Sequence, residues 1–362
     1  MLLASFTAAA LVTTVAARYC FVHPEQNDFA SFYSGGHALR VSGLAELYRE
    51  QLNSPLEQPF VRPPAYALLI LPFTYLSFPV AFWLWVGVQL LVFGGCLWWA
   101  QDWIGWAAAL SCFFPPMLLG ISHAQDSAVM LAAVVAAFAF SRSERPVLAG
   151  LALGLGVVKF HLFLLWPAAL IVQRRWKMLA GLIATAMAAV VISISLVGVG
   201  GLASYGRLLA GGRLSPATPE PLYQYGISGL WANLHIGVGP IMYVVAGGVA
   251  GLSLFAVRQR GLHELFVVVP AASLAIAPHV LYYDPSLLLL SLWIGLSLWS
   301  PSRFRLFASA LAAATVFSAV AMPKPIPLLG SAGLLTALML ACMASMRGVL
   351  GRQSARPGSG AS

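Results

Sequence analysis

Apolar stretches follow one another along almost the whole chain, and short polar loops separate them. After residue 142 they predict eight membrane spans, at 147–158, 160–172, 178–199, 236–257, 264–279, 286–300, 304–321 and 328–346. Before that point they predict a first span at 1–17 and four apolar segments, at 64–77, 79–100, 104–120 and 127–141. Because 64–77 is shorter than the roughly 20 residues that a spanning helix needs, and begins at two prolines, we interpret it as re-entrant or interfacial and expect about twelve crossings.

Basic residues in the connecting loops set the expected orientation. They occur at 142–145, 174–177, 258–260 and 303–305, and residues 347–362 form a basic tail. Short loops rich in Lys and Arg stay on the cytoplasmic side. The polar loops between them, including the long first loop 19–63, are then extracytoplasmic. We expect residues 1–346 to form one transmembrane domain in a bacterial-type inner membrane, with a disordered cytoplasmic tail.

The composition is that of a multi-pass membrane protein with little room for a soluble domain. Of 362 residues, 60% are hydrophobic and 9% are charged, and the mean hydropathy is +0.85. The net charge of +9 comes largely from loop and tail arginines, so we expect membrane lipids and no nucleic acid as partners. Cys96, Cys112 and Cys342 lie in or beside apolar segments, and only Cys20 lies clearly outside them, so no disulfide framework is predicted.

Lys159 lies inside the apolar stretch AGLALGLGVVKFHLFLLWPAALIV, residues 149–172. An ionisable residue at membrane depth is costly unless it faces protein or water, and it requires an anionic partner. If the basic clusters on both sides of this stretch are cytoplasmic, the chain crosses and returns between them, with Lys159 at the outer tip of a hairpin. The alternative is one long tilted helix with a snorkelling lysine, which puts one cluster on the wrong side.

Polar residues collect in the outer loops of this topology. They are Asp28, Tyr33 and His37 in the first loop, then His123, Gln125 and Asp126, then Lys159 and His161, then Arg207, Arg213, Tyr223, Tyr225 and Asn233, and finally His279, Tyr282, Tyr283 and Asp284. Each has an ordinary structural explanation, since the aspartates fit helix N-caps and the tyrosines fit an interfacial belt. Together they suit a site in which Lys159 and His279 bind a lipid-linked phosphate while Asp28 takes a proton from an attacking hydroxyl.

Six segments, taken in chain order, carry a resemblance: NDFASFYSGGHAL, ELY, FVRPPAYALLILPFTYL, PPMLLGISHAQDSAVML, AGLALGLGVVKFHLFLLWP followed by QRRW, and HVLYYDPSLLLL. Over about residues 25–295 they resemble the pattern of glycosyltransferase family 87. The resemblance implies an all-α GT-C-type helical bundle and a polyprenyl-phosphate-mannose-dependent mannosyltransferase. It also implies an extracytoplasmic active site, a hydroxyl acceptor and inversion by a single displacement. The short outer loops favour a lipid or glycan acceptor over a folded protein.

The resemblance also assigns residues. The catalytic aspartate of the GT-C first loop matches Asp28, and the terminal His/Tyr/Asp element matches His279, Tyr283 and Asp284. The lysine of the family's Lys-Pro pair matches Lys159, although Phe160 replaces the proline, and the Gly-Gln element is interrupted between Gly120 and Gln125. We expect the donor phosphate or the substrate to contact a set of polar residues: Tyr33, Arg62, Gln125, Lys159, His161, His279, Tyr283 and Asp284.

A transporter or flippase of a lipid-linked or small anionic substrate is the main alternative, because polar tips at membrane depth and intramembrane charges are typical of transporters. The polar residues lie on one face rather than at the midplane, and the two halves show no internal repeat; both observations favour the transferase. A non-catalytic membrane subunit would leave Lys159 without a purpose.

No cofactor is expected, and the outer carboxylates are too scattered for a metal cage. Replacing Lys159 by alanine is expected to weaken donor use and to leave folding intact.

Overall fold

The computed structural model describes residues 21–22, 27–53, 60–105, 107–210, 224–235, 239–298 and 334–342. Within these ranges the secondary structure is helical, without strands. The expected spans 1–17 and 304–321, most of 328–346, the basic loop 303–305, the tail 347–362, and Cys20, Arg213 and Tyr223 lie outside the described residues.

The helices follow in chain order, with three 3-10 segments between or after them. They are α1 Asp28–Val41, α2 Leu44–Asn53, α3 Tyr66–Ile70 with the 3-10 turn Leu71–Tyr75, α4 Phe78–Ile104, α5 Ala107–Ser111, α6 Pro115–Ser122, α7 Ser127–Arg142, α8 Pro146–Gly154 with the 3-10 segment Leu155–Phe163, α9 Leu165–Val172, α10 Trp176–Ala210, α11 Gly226–Asn233, α12 Pro240–Val257, α13 Leu262–Ile276, the 3-10 turn Asp284–Leu288 and α14 Leu289–Leu298. Residues 334–342 form a further helix.

The chain is an all-α membrane protein. In its described part, four helical segments are long and apolar enough to cross a bilayer: Phe78–Ile104, Pro146–Phe163, Trp176–Ala210 and Pro240–Val257. The expected total of about twelve crossings stays a prediction. The apolar segment Tyr66–Tyr75 has ten residues, or about 15 Å of helix, which is half of a bilayer core of about 30 Å and fits the re-entrant interpretation.

The apolar segment 104–120 differs from the single span expected there. Helix α4 continues to Ile104, and two short helices follow, with α6 starting at Pro115. Proline lacks the N–H that would bond to the preceding turn, and it is well placed at the start of a helix. The consecutive Pro115 and Pro116 therefore separate α6 from α5.

Three basic loops meet at one end of the bundle, which we call the basic end. The side-chain amide of Gln173 donates to the carbonyl of Val257 at 2.8 Å, which joins the loop at 173–175 to the loop at 258–260. A cavity at this end is lined from both sides of the apolar stretch 149–172, by Ser141, Pro146, Arg174, Arg175, Trp176, Lys177 and Met178. The two basic clusters flanking Lys159 thus lie at the same end, as the hairpin requires and a single tilted helix does not allow.

The packing of α8 on α10 shows the same reversal of the chain. Gly150 lies directly against the backbone of Met178, and Gly154 against Thr185, so that a Cβ on either glycine would overlap the partner helix. Successive residues of α8 meet successive residues of α10, so both helices leave the basic end in the same direction. The chain returns between them through the 3-10 segment, where Lys159 leaves the helical conformation with φ −122° and ψ 54°, and through α9.

The length of helix α7 gives the distance from the basic end to the opposite end of the bundle. It starts beside Asp126 and finishes at Arg142, 16 residues or about 24 Å away. Helix α13 runs in the opposite sense, from the loop after Arg260 to Ile276, just before the polar segment 277–284. The core between these helices is aromatic, with the rings of Phe138 and Phe266 at 5.3 Å. The polar loops are thereby gathered at the end opposite the basic loops.

Candidate functional site

A single cluster of polar side chains lies at that opposite end. It is drawn from five segments that are far apart in sequence: Asp28 of α1, Arg62 before α3, Gln125 and Asp126 between α6 and α7, Lys159 in the 3-10 segment after α8, and Tyr283 and Asp284 before α14. Hydrogen bonds and ion pairs connect all of them. The predicted convergence of these loops is therefore observed at the level of side-chain contacts.

Lys159 bridges two buried carboxylates. Its Nζ lies 3.2 Å from Asp126 Oδ1 and 2.9 Å from Asp284 Oδ1, and the three side chains are 5%, 0% and 3% exposed. Arg62 adds a second cation, with Nη2 at 3.2 Å from the carboxylate of Asp126. Buried charges persist when they are paired and hydrogen-bonded. Two cations and two carboxylates balance here, and we call this group the ion core.

Local structure holds each member of the ion core in place. The backbone N–H of Leu281 donates to Asp284 Oδ2 at 2.8 Å, which fixes that carboxylate at the start of its 3-10 turn. The ammonium of Lys159 lies 4.8 Å from the centre of the Tyr283 ring, in cation–π geometry. The guanidinium of Arg62 lies 5.0 Å from the centre of the Phe32 ring. The break in the helix at Lys159 thus directs its side chain into protein rather than lipid.

Asp28 lies at the edge of the ion core and is held differently. Its Oδ2 accepts hydrogen bonds from Gln125 Nε2 and, at 3.3 Å, from the hydroxyl of Tyr283. Burial first, and then the charges of Asp28 and Asp284, raise the pKa of Tyr283 well above its usual value, so the phenol stays protonated and donates. No cation of the described residues lies within ion-pair distance of Asp28, and its side chain is half-buried. Asp28 is also not a cap, because Asn27 occupies the N-cap position of α1.

Three histidines surround this cluster. His161 and His279 approach with ring centres 6.0 Å apart. Burial is the largest influence on His279 and lowers its pKa, so it is neutral at pH 7 and offers a single N–H donor. His123 places Nδ1 at 2.9 Å from the carbonyl of Leu119 and Nε2 at 2.7 Å from the hydroxyl of Tyr282. Since a carbonyl only accepts, Nδ1 carries the proton and Nε2 accepts from Tyr282.

Comparison with the patterns of known protein families matches residues 60–323, most of the chain, to glycosyltransferase family 87. The chain belongs to glycosyltransferase family 87. It is therefore a membrane glycosyltransferase, which uses a sugar donor and an acceptor. No curated protein and no solved structure matches it.

The family 87 match covers the ion core and Gln125, His161, His279 and Tyr283, whereas Asp28 and Tyr33 precede it. Tyr33, an expected substrate contact, is outside the cluster. Its hydroxyl donates to the carbonyl of Leu76 at 2.8 Å, and its ring stacks on His37. Asp28, by contrast, reaches residues of the matched region through Gln125 and Tyr283. Helix α1 and the matched part of this glycosyltransferase thus contribute side chains to the same polar cluster.

Asp126 is the ion-core member that the sequence did not assign to the site of this glycosyltransferase. Its place at the start of an apolar helix fits an N-cap equally well. It does occupy the N-cap position of α7, but its side chain makes no capping hydrogen bond and turns to Arg62 and Lys159 instead. Charge was the signal in the sequence that could have identified Asp126, because Lys159 needed an anionic partner and few carboxylates are present on this side.

Proposed function

We propose that this protein transfers a sugar, mannose by its family resemblance, from a polyprenyl-phosphate donor to a hydroxyl of a lipid or glycan acceptor. Asp28 is the general base, and the reaction takes place at the extracytoplasmic face with inversion at the anomeric carbon. The observation that carries the proposal is the contrast between Asp28 and the other two carboxylates of the cluster. Asp126 and Asp284 are buried in ion pairs, and Asp28 is partly exposed and unpaired with any cation of the described residues.

The geometry of Asp28 suits a general base. Both of its hydrogen bonds within the described residues go to Oδ2, which leaves Oδ1 to accept the proton of the acceptor hydroxyl. A base must be within hydrogen-bond reach of that proton. Asp126 and Asp284 do not meet this condition, because protein groups enclose them and cations hold their charge.

The donor phosphate is assigned to the nitrogen donors of the same cluster. Lys159 holds its positive charge between Asp126 and Asp284 and over the Tyr283 ring, and this charge favours a phosphate bound at the cluster. The neutral imidazole of His279 adds an uncharged donor beside it. Fixed donors stabilise the charge that develops on a leaving phosphate. The phosphate leaves without protonation, so one carboxylate suffices, in contrast to the two that glycosidases use.

Two observations support the transferase over a transporter, besides family membership. The cluster lies at one end of the bundle, about 24 Å of helix from the basic end, whereas transporters bind near the midplane. By the positive-inside rule the basic end is cytoplasmic, which directs the cluster to the extracytoplasmic face.

Asp28→Asn tests the proposal, with Asp102→Asn as the matched control at an exposed carboxylate near the end of α4. The assay is transfer of labelled mannose from polyprenyl-phosphate-mannose to a lipid acceptor by purified protein. Loss of a general base costs about 10²- to 10⁴-fold in rate, and we expect that loss for Asp28→Asn with donor binding retained. The control should transfer at the wild-type rate. An Asp28→Asn protein with more than roughly a tenth of that rate, far inside the expected loss, would overturn the assignment.

A further inference from the structure

Gln125 connects the ion core to Asp28, and its two ends meet chemically different partners. Its Oε1 accepts from Arg62 Nη2 at 2.9 Å, and its Nε2 donates to Asp28 Oδ2 and to the hydroxyl of Tyr283, the latter at 3.0 Å. A guanidinium has only donors and a carboxylate only acceptors. The amide therefore has one orientation that satisfies both partners, with its oxygen towards Arg62 and its nitrogen towards Asp28.

The backbone around Gln125 is fixed before any substrate binds. The N–H of Gln125 donates to the carbonyl of Gly120 at 2.8 Å, and the preceding Ala124 takes a left-handed conformation with φ 50°. Helix α4 holds this turn, because the indole of Trp85 donates to the carbonyl of Ala124 at 2.9 Å. Gly120 leaves no room for a side chain, since a Cβ there would overlap Ser127.

Arg62, which orients the amide, is itself held from several sides. Its second partner is the buried carboxylate of Asp126, and the hydroxyl of Tyr48 donates to its backbone carbonyl at 2.8 Å. The ring of Phe32 covers its guanidinium. An unbroken series of contacts thus runs from the ion core through Arg62 and Gln125 to the carboxylate of Asp28.

We propose that Gln125 is a positioning residue for proton transfer: held by Arg62, its amide fixes Oδ2 of Asp28 so that Oδ1 faces the acceptor hydroxyl. The inference rests on the proposed role of Asp28 as the base. It replaces the expectation that Gln125 contacts the donor. Positioning of a reacting group is worth a large part of a rate, and a misplacement of about 1 Å costs on the order of 10²-fold.

Other titratable groups around Asp28 also contribute to the pH dependence of the reaction. Those that face it or the groups connected to it are His123, His161, His279, Tyr66, Tyr282, Tyr283, Arg62, Lys159, Asp126 and Asp284. Gln125 contacts Arg62 and Tyr283 as well as Asp28, so a substitution there also changes the surroundings of those two groups. The comparison of Gln125→Glu, which keeps an acceptor for Arg62, with Gln125→Met, which does not, separates the hydrogen bond to Asp28 from the one to Arg62.

Gln125→Glu is the sharpest substitution, because it keeps an oxygen acceptor for Arg62 and replaces the N–H donor that faces Asp28. Gln125→Met keeps the length of the side chain and removes both functions. Gln173→Met is the matched control, since its amide bridges helices at the basic end. For each purified variant, kcat, donor KM and the pH profile of kcat/KM are measured with the labelled-mannose assay.

We expect kcat to fall about 10- to 100-fold in both Gln125 variants with donor KM unchanged. The pH profile of kcat/KM should differ from that of the wild type in both variants, because each loses the N–H donor beside the charged carboxylate and Gln125→Glu also adds a like charge. The Gln173→Met protein should keep the wild-type kcat and profile.

Two outcomes overturn the inference and separate it from the proposed function. If Asp28→Asn abolishes transfer while both Gln125 variants keep the wild-type kcat and profile per folded protein, Gln125 is not a positioning residue and Asp28 remains the base. The same conclusion follows if the Gln125 variants have a lower melting temperature but keep the wild-type kcat and pH profile. If Asp28→Asn is active, the proposed function falls by itself, whatever the Gln125 variants do.

Discussion

Replacing Lys159 by methionine removes the only cation that contacts both Asp126 and Asp284 within the described residues. Methionine is close to lysine in length and apolar shape, so packing is largely kept and the charge is lost. Asp126 keeps Arg62 as an ion-pair partner at 3.2 Å. Among the described residues, Asp284 keeps only the backbone N–H of Leu281 as a hydrogen-bond donor and becomes a buried carboxylate without a cation partner. The substitution therefore unbalances the ion core at one carboxylate, Asp284.

The expected cost follows from that unpaired charge. Removal of one partner of a buried ion pair destabilises a protein by about 3 to 5 kcal/mol. Typical domains have a free energy of unfolding of about 5 to 15 kcal/mol, so the loss is a large share. Adding Asp284→Asn to Lys159→Met removes the orphaned charge and keeps an amide oxygen for Leu281. Arg62 and Asp126 then remain as a balanced pair, and we expect the double variant to recover most of the stability.

The assay is a double-mutant cycle on melting temperature in detergent, with wild type, Lys159→Met, Asp284→Asn and the double variant. A coupling free energy above about 1 kcal/mol, in the rescuing direction, is expected for residues in direct contact. Transfer activity should not return in the double variant, because the ammonium that serves the phosphate is still missing. If Lys159→Met melts like wild type, or if the two substitutions are additive, the ion core is not what stabilises this end of the bundle.

Two further predictions concern orientation and pH. In a cysteine-free background, His37→Cys should react with an impermeant reagent from the extracytoplasmic side and Ser143→Cys only from the cytoplasmic side; labelling of both from one side would contradict the orientation. Burial lowers the pKa of His123 and His279, so the unfolded chain binds more protons and stability should fall as pH drops below about 6.5. His123→Gln with His279→Gln should reduce that fall in melting temperature between pH 7.5 and 5.5, and an equal fall would show that other groups cause it.

Hydropathy and charge were sufficient to predict the all-α membrane class and the turn of the chain at Lys159. The reason is physical: a lysine in an apolar stretch and two basic flanks admit few arrangements. The same pattern did not distinguish Asp126 as an N-cap from Asp126 as an ion-pair partner, because both place a carboxylate at a helix start. Nor did it pair Arg62 with Gln125, which are 63 residues apart. Periodicity reports which positions are buried and not which polar groups meet.

The expected effect of removing Lys159 on stability is reversed for the same reason. Taken alone, an intramembrane lysine is a desolvation cost, and its removal was expected to leave the fold intact. With two buried carboxylates beside it, its removal transfers that cost to Asp284. The net effect of a buried charge on stability thus depends on partners that only the three-dimensional structure identifies.

Charge balance also constrains the proposed reaction. Two cations and three carboxylates give the cluster one net negative charge, which lies on Asp28 at its edge. In the proposed step Asp28 takes the acceptor's proton and becomes neutral while the departing phosphate gains a negative charge, so the total charge of the site is constant.

Loss of Lys159 would make the site more negative, which disfavours both the bound phosphate and the charge that the phosphate gains. In a Lys159→Met, Asp284→Asn protein the original charge returns without the ammonium. Donor binding that recovers in this variant would mean that Lys159 acts through the net charge of the site, whereas binding that stays weak would mean that the ammonium itself is required at its position.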